Sequence, residues 1–143
     1  MDTSPTVNYK EIAQQARRKI ISMIHAAQTS HVGSNLSVVD IATVLYEKAD
    51  LKKDKIIWSK GWAAATAYYF LARKGVIESC DLDKYCRVGE SKYIGLLEPT
   101  VEGIDCAGGS MGYGLPFGVG FDLAKKLKKE EGTVYVIMSD GEQ

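Results

Sequence analysis

Thr133-Val-Tyr-Val-Ile-Met-Ser139-Asp140-Gly141-Glu142-Gln143 is the stretch on which the reading of the fold depends. Its β-branched, aromatic and sulfur-containing side chains, Val134 to Met138, form a continuous apolar run between turn residues. Such a run reads as a strand of a parallel sheet, buried on both faces. In open α/β sheets ligands sit outside the carboxyl ends of the strands. The tip of this strand carries Asp140, an acid able to hold a cation, and Gly141, which lets phosphate oxygens approach the backbone. Asp-Gly is also ordinary turn chemistry, so the tip alone leaves both readings open.

Working back from that strand, the chain alternates helices with strands. Asn8 and Glu11 open a helix whose apolar positions Ile12, Ala16, Ile20, Ile24 and Ala27 follow at helical spacing, ending near Gln28. Thr29 to Leu36 reads as a polar loop containing His31 and Gly33. Ser37, with Asp40 three residues on, reads as a capping box for a second helix through Ala49. After a charged turn over Asp50 to Asp54, Lys55 to Ser59 is a short strand. Gly61 to Arg73 is then a helix closed by Gly75 in the C′ position. Cys80 to Arg87 predicts a short helix, and Val88 to Ser110 a long irregular segment of the kind that is functional inside a compact domain. Leu115 to Lys129 is a helix with Pro116 in its first turn. The expected architecture is a single α/β domain over residues 1–143, a three-layer parallel sheet flanked by helices and incomplete at its C-terminal end.

A chain of 143 residues, 45% hydrophobic and 25% charged, has the composition of a soluble globular domain. Lys+Arg and Asp+Glu are both 18, so global charge recommends neither nucleic acid nor a membrane surface as partner. No apolar run approaches the roughly 20 residues of a membrane span. Met1 to Thr6 lacks the regions of a signal peptide, and the expected location is cytoplasmic. Cys80, Cys86 and Cys106 lack the spacing of a zinc site and read as reduced, mostly buried thiols.

The densest glycine cluster is Gly108-Gly109-Ser110-Met111-Gly112-Tyr113-Gly114, which opens directly onto the helix from Leu115. Backbone amides there can face an anion, aided by the helix dipole. The same glycines also serve close packing and left-handed turns. A third reading, a dinucleotide fingerprint over Gly112, Gly114 and Gly118, needs a preceding strand, and Glu102 to Ala107 makes a poor one.

Four motifs in order and register resemble the N-terminal half of transketolases. They are Thr29-Ser-His31-Val-Gly33-Ser-Asn-Leu-Ser37, Ser59-Lys60-Gly61-Trp-Ala-Ala64, Gly103 through Leu115, and Ser139-Asp140-Gly141-Glu142, and the likeness runs from about Tyr9 to Gln143. The resemblance implies the thiamine diphosphate-binding domain of a small subunit from a split transketolase. It implies roles by position: Asp140 as a magnesium ligand, Gly141 as an amide meeting the diphosphate, Gly109 against the cofactor, and Met111 near the thiamine rings. Gly112 and Gly114 fall in the same cofactor loop. His31 takes the place of the histidine that enters the substrate channel and assists proton transfer. His25, inside the first helix, has no such counterpart and reads as structural.

The departures from the family pattern are as specific. Trp62 stands where the family has a histidine reaching the diphosphate, Leu96 falls where it has a channel histidine, and Tyr113 replaces a glutamine. Charge-assisted hydrogen bonds of that kind are worth about 2 to 4 kcal/mol each in catalytic terms. The changes therefore imply a site for a less polar donor or acceptor than a standard sugar phosphate. The asparagine that completes the family's metal site, and the glutamate that activates the cofactor, lie beyond this sequence. The expected partner is a C-terminal transketolase-like subunit or the remainder of the chain, in a homodimer or heterotetramer acting in ketol transfer on a sugar-phosphate-like substrate. A non-catalytic assembly module on the same fold, and a dinucleotide-binding oxidoreductase, are the alternatives.

Overall fold

The structure, a computed structural model, describes residues 7–89 and 91–143. The polar start, Met1 to Thr6, lies outside the described residues, as does Glu90 within the long irregular segment. Helix α1 spans Tyr9–Ala27. Asn8 caps it by accepting the Glu11 N–H at 3.2 Å, and its apolar stripe of Ile12, Ala16, Ile20 and Ile24 is buried.

The expected loop from Thr29 to Leu36 contains a single short helix, α2, over Val32–Leu36. Helix α3 follows at Val39–Lys48, and the capping box expected at Ser37 does not form. Ser37 instead donates to the Ser34 carbonyl at 3.3 Å and accepts from Lys60 Nζ at 2.8 Å, while Asp40 pairs with Arg17 on α1 at 2.6 Å. Tertiary partners have taken both side chains away from the helix end.

Strand β1 is Lys55–Trp58; a single 3₁₀ turn at Gly61–Ala63 then leads into helix α4, Ala64–Arg73. Gly75 ends α4 as expected: at φ 71° its N–H reaches Ala72 O, and the Val76 N–H reaches Leu71 O, the paired bonds of a Schellman motif. The short helix expected over Cys80 to Arg87 is a 3₁₀ segment, Ser79–Lys84. Helix α5 is Gly114–Lys128, and strand β2 is Val134–Ile137.

The two strands pair in parallel with Lys55 opposite Val134 and Trp58 opposite Ile137, which makes the domain α/β with a small two-stranded parallel sheet. Side chains alternate across it. Trp58 Nε1 donates to Tyr46 Oη on α3 at 3.0 Å, and the Lys55 ammonium lies 5.9 Å from the ring centre of Phe121 on α5. Gly118 lets α5 settle onto β2, because a Cβ there would come within 2.4 Å of Val136.

The core lies among α1, α3, α4 and β1, where Ile20, Tyr46, Trp58, Tyr68 and Phe70 are almost entirely buried. Full burial of such side chains is worth about 1.5 to 3 kcal/mol each. The segment from Val88 to Ser110 is irregular yet packed, with Tyr93, Leu97, Val101 and Ile104 buried. Tyr68 Oη donates to Ile94 O, the Leu97 N–H to Gly61 O, and the Gly108 N–H to Leu97 O, which tether it to α4 and the 3₁₀ turn. Gly61 and Gly108 cross there in backbone contact; a Cβ on Gly61 would lie 2.3 Å from the Gly108 carbonyl carbon.

Two expectations need correction. The run from Val134 to Met138 is not buried on both faces, since only Ile137 is buried and Tyr135 is exposed. Among the described residues β2 has a neighbour on one edge only, so the side chains at its outer rim meet no second layer. Of the three cysteines, all unpaired, only Cys106 is buried, while Cys86 is half-buried and Cys80 exposed. No helix among the described residues is long and apolar enough to cross a membrane.

Candidate functional site

The loops that follow the two parallel strands meet at one end of the sheet. After β1 comes Ser59, and after β2 comes Ser139 with a single 3₁₀ turn over Asp140–Glu142. The glycine loop lies between them. Ser59 Oγ donates to Glu142 Oε1 at 2.6 Å and accepts the Gly114 N–H at 3.1 Å. Glu142 Oε1 also accepts the Gly112 N–H at 3.0 Å, and Oε2 accepts the Ser139 N–H at 2.6 Å and its hydroxyl at 2.9 Å.

Partial burial by itself would raise the Glu142 pKa. The donors from the Ser139 backbone, the Ser59 hydroxyl, the Gly112 backbone and the Ser139 hydroxyl outweigh that and bring it down to about 2, because each favours the carboxylate over the acid. Glu142 closes the Ser-Asp-Gly-Glu motif, but nothing in the sequence pointed to a role for it. Its partners are 83 and 30 residues away, and the one local sign, a serine three residues before a glutamate, is common to many helix starts.

Asp140 and Gly141 lie on that same turn. The Asp140 side chain is exposed and has neither a hydrogen bond nor an ion pair among the described residues. A Cβ built on Gly141 would meet nothing within 4 Å. An open carboxylate beside an open backbone fits a hard cation and an oxyanion, which is the donor chemistry a magnesium diphosphate requires. Asp140 stands alone in this, since no group of three acidic, histidine or cysteine side chains gathers anywhere among the described residues.

The glycine loop is placed differently. The amides of Gly112 and Gly114 are already spent on Glu142 and Ser59, and Gly114 is so close to Ser59 that a Cβ would come within 2.2 Å. Gly114 serves close packing here, whereas Gly112, with open space where a Cβ would be, supplies a left-handed turn at φ 84°. Gly109 faces an open groove of about 440 Å³ together with Trp62, Leu96, Glu98, Ser110, Tyr113 and Phe117. The Leu96 side chain lies over Gly109, about 3.0 Å from where a Cβ would be. Met111 is 74% exposed and does not line the groove. The strand that a dinucleotide fingerprint requires before Gly112 is absent, as residues 102–107 are turn and coil.

His31 reaches this groove through Trp62. Their rings stack with centres 4.4 Å apart at 18°. His31 Nδ1 lies 3.0 Å from Ser30 Oγ, and its backbone is left-handed at φ 71°, a conformation uncommon outside glycine. Asn35, fully buried, holds that turn. Its Nδ2 donates to His31 O at 2.9 Å and Trp62 O at 3.2 Å, and its Oδ1 accepts the Thr66 N–H at 2.9 Å. Sequence reading passed over Asn35 because a polar residue in a polar stretch gives no sign of burial. The site residues thus form two clusters, His31 with Trp62 and Gly109, and Asp140 with Gly141, joined by the loop that carries Gly112 and Gly114. His25 lies outside both, exposed in the last turn of α1.

Residues 2–142 match the family profile described as 1-deoxy-D-xylulose-5-phosphate synthase. Among curated proteins, an apulose-4-phosphate transketolase subunit of Phocaeicola vulgatus is 32% identical over 142 residues, covering 92% of this chain and 50% of that protein. The protein of the same description from Actinobacillus succinogenes is 33% identical over 150 residues, with 95% and 54% covered. A 6-deoxy-6-sulfo-D-fructose transketolase subunit of a Clostridium species is 29% identical over 145 residues, with 95% and 53% covered. The chain therefore spans about half the length of these relatives. The order of motifs, the meeting of the glycine loop with the Asp-Gly turn, and the profile match along nearly the whole length agree that this chain belongs to the transketolase-like family, as an N-terminal thiamine diphosphate-binding domain.

Proposed function

We infer that this chain supplies the diphosphate- and metal-facing wall of a thiamine diphosphate site for two-carbon ketol transfer, as a transferase component that is inactive alone. The observation that carries the reading is the open Asp140–Gly141 turn at the ends of two parallel strands, tied to the glycine loop by Glu142. Asp140 would hold magnesium and Gly141 the diphosphate. Bound thiamine diphosphate supplies the electron sink for cleaving the bond beside a ketose carbonyl. His31, fixed by Asn35 and the Trp62 stack, would take or return protons on substrate hydroxyls. Gly109 and Met111 would lie toward the thiamine, with Gly112 and Gly114 shaping the loop.

The names of the relatives that call them subunits support a partner for this chain: a C-terminal transketolase-like subunit or a further segment of the same protein, in a homodimer or heterotetramer. A further segment of the same protein would add strands beyond β2 to a parallel sheet flanked by helices, with residues 1–143 as one domain. A cytoplasmic location and a small sugar-like substrate complete the reading. Trp62, Leu96, Tyr113 and Phe117 give the groove an aromatic and aliphatic wall whose one charged group is Glu98, which favours a less polar substrate than a sugar phosphate at this end. A second reading, an assembly module without catalysis, is favoured by Leu96 lying over Gly109.

Calorimetric titration of the completed assembly with thiamine diphosphate and magnesium chloride separates the two. Asp140→Asn should weaken that binding about tenfold or more, because it removes a formal charge facing a divalent ion. It should move the melting of the cofactor-free chain by no more than about 0.5 to 1 kcal/mol. Unchanged binding together with a sharp loss of stability would make Asp140 a structural turn acid and favour the assembly module.

A further inference from the structure

Glu142 is the most heavily bonded side chain at the strand ends, yet neither metal nor substrate chemistry calls for it. Four donors converge on its carboxylate: Ser59 Oγ and the Gly112 N–H on one oxygen, the Ser139 N–H and Oγ on the other. A carboxylate offers about four lone-pair sites, so little acceptor capacity remains for a metal ion or a substrate proton. The donors come from three separate pieces of chain: the end of β1, the loop before α5, and the end of β2. Ser59 carries the connection one step further by accepting the Gly114 N–H at 3.1 Å.

The consequence is mechanical. Asp140 and Gly141 sit between Ser139 and Glu142, whose mutual bonds close the turn. The same Glu142 oxygen that takes the Ser59 hydroxyl takes the glycine-loop amide. Moving the loop relative to the Asp-Gly turn would break charge-assisted hydrogen bonds, which are about twice as strong as neutral ones. The arrangement is also particular to glutamate. Glutamine in the same rotamer would turn an NH₂ toward donors on one side, and aspartate is one methylene too short to reach both Ser59 and Gly112.

We propose that Glu142 is a positioning residue that locks the glycine loop against the Asp140–Gly141 turn, so that thiamine diphosphate and magnesium binding depends on it without its touching either. This rests on the reading of the site given above, and the test keeps the two apart. The first measurement is residue-resolved amide exchange on the cofactor-free chain. Glu142→Ala should speed exchange at Gly112 and Ser139 about tenfold or more while the core amides of α1 and α4 keep their rates. Glu142→Gln, which retains an acceptor for one side only, should fall between. A uniform rise across the chain, or an unchanged Gly112, overturns the proposal. If Glu142→Ala does not fold, Ser59→Ala removes one of the four donors and is read in the same way.

The second measurement is calorimetric titration of the completed assembly with thiamine diphosphate and magnesium chloride. Glu142→Ala should lose about tenfold or more in affinity, with Glu142→Gln losing less. Wild-type affinity in both variants overturns the proposal. A wild-type assembly with no affinity for thiamine diphosphate overturns the reading of the site, whereas a selective exchange response at Gly112 would still uphold the lock itself.

Discussion

Helices α4 and α5 are both rich in apolar residues, yet α4 buries eight of its ten residues and α5 only Gly114 and Gly118 of its fifteen. The difference lies in their surroundings. α4 is enclosed by α1, α3 and the tethered segment that ends at Ser110. α5 rests on the sheet through its glycines and leaves Leu115, Val119, Leu123 and Leu127 outward, each between 49% and 77% exposed. On the other face of the sheet, a groove of about 850 Å³ between α3 and β2 is lined by Ile41, Val44, Leu45 and Tyr135. Exposed apolar surface on this scale marks a contact with other protein. One side of the domain is finished as a core, and the other carries core-like sequence without a cover.

That contrast can be broken most forcefully on the finished side. Phe70→Ala, in the stack with Tyr46, should cost about 3 to 5 kcal/mol in urea unfolding, since the enclosed site cannot collapse around the void. Asn35→Ala should cost about 2 to 3 kcal/mol, because it takes the side-chain acceptor from the buried Thr66 amide and the side-chain donor from the Trp62 carbonyl, and leaves the His31 carbonyl with the residue 35 backbone N–H alone. It should also release the His31–Trp62 stack, seen as a change in Trp62 fluorescence.

The finished side also holds four buried phenols. Burial lifts the pKa of Tyr46, Tyr68, Tyr85 and Tyr93 far above the ordinary value of 10.0. Raised folded-state values mean stability that is complete below pH 10 and drains away as pH climbs toward them, because the unfolded chain ionises first. Phenolate absorbance from these four should therefore appear only with loss of helical circular dichroism; a stepwise rise in folded protein would show that the core is open. The smallest effect on stability belongs to the uncovered side. Leu123→Gln should change unfolding free energy by about 0.5 kcal/mol or less, yet reduce self-association or partner binding in sedimentation. A cost like that of Phe70→Ala would show that α5 is covered after all.

The same contrast explains what the sequence disclosed. α1 was legible because its apolar stripe, its Asn8 cap and its burial all follow from neighbours within one turn. Gly75 was legible for the same reason, as a C′ glycine acts on carbonyls three and four residues back. Ser37 misled because its local pattern is that of a cap, while Lys60 and Ser34 claim the hydroxyl. The strand before Asp140 was found, but the degree of its burial was not, since a continuous apolar run says that faces are to be covered and not by which segment. Asn35 and Glu142 were invisible because their significance is a sum of bonds to residues distant in the chain. At the site, residue types could be assigned through family resemblance, whereas only the geometry showed that the Gly112 and Gly114 amides are already committed.

The crossing of Gly61 with Gly108 bears on how this chain can change over generations. Each backbone fills the space a side chain of the other would need, the Cβ of Gly108 falling 2.5 Å from Gly61 Cα. The two positions therefore behave as one inherited unit. Alanine at either forces the strands of chain apart, after which alanine at the other meets little further resistance, and a double-mutant cycle should be strongly non-additive. A lineage that loses one glycine is released from keeping the second. Recovery then takes two coordinated reversions, so the crossing works as a ratchet in descent.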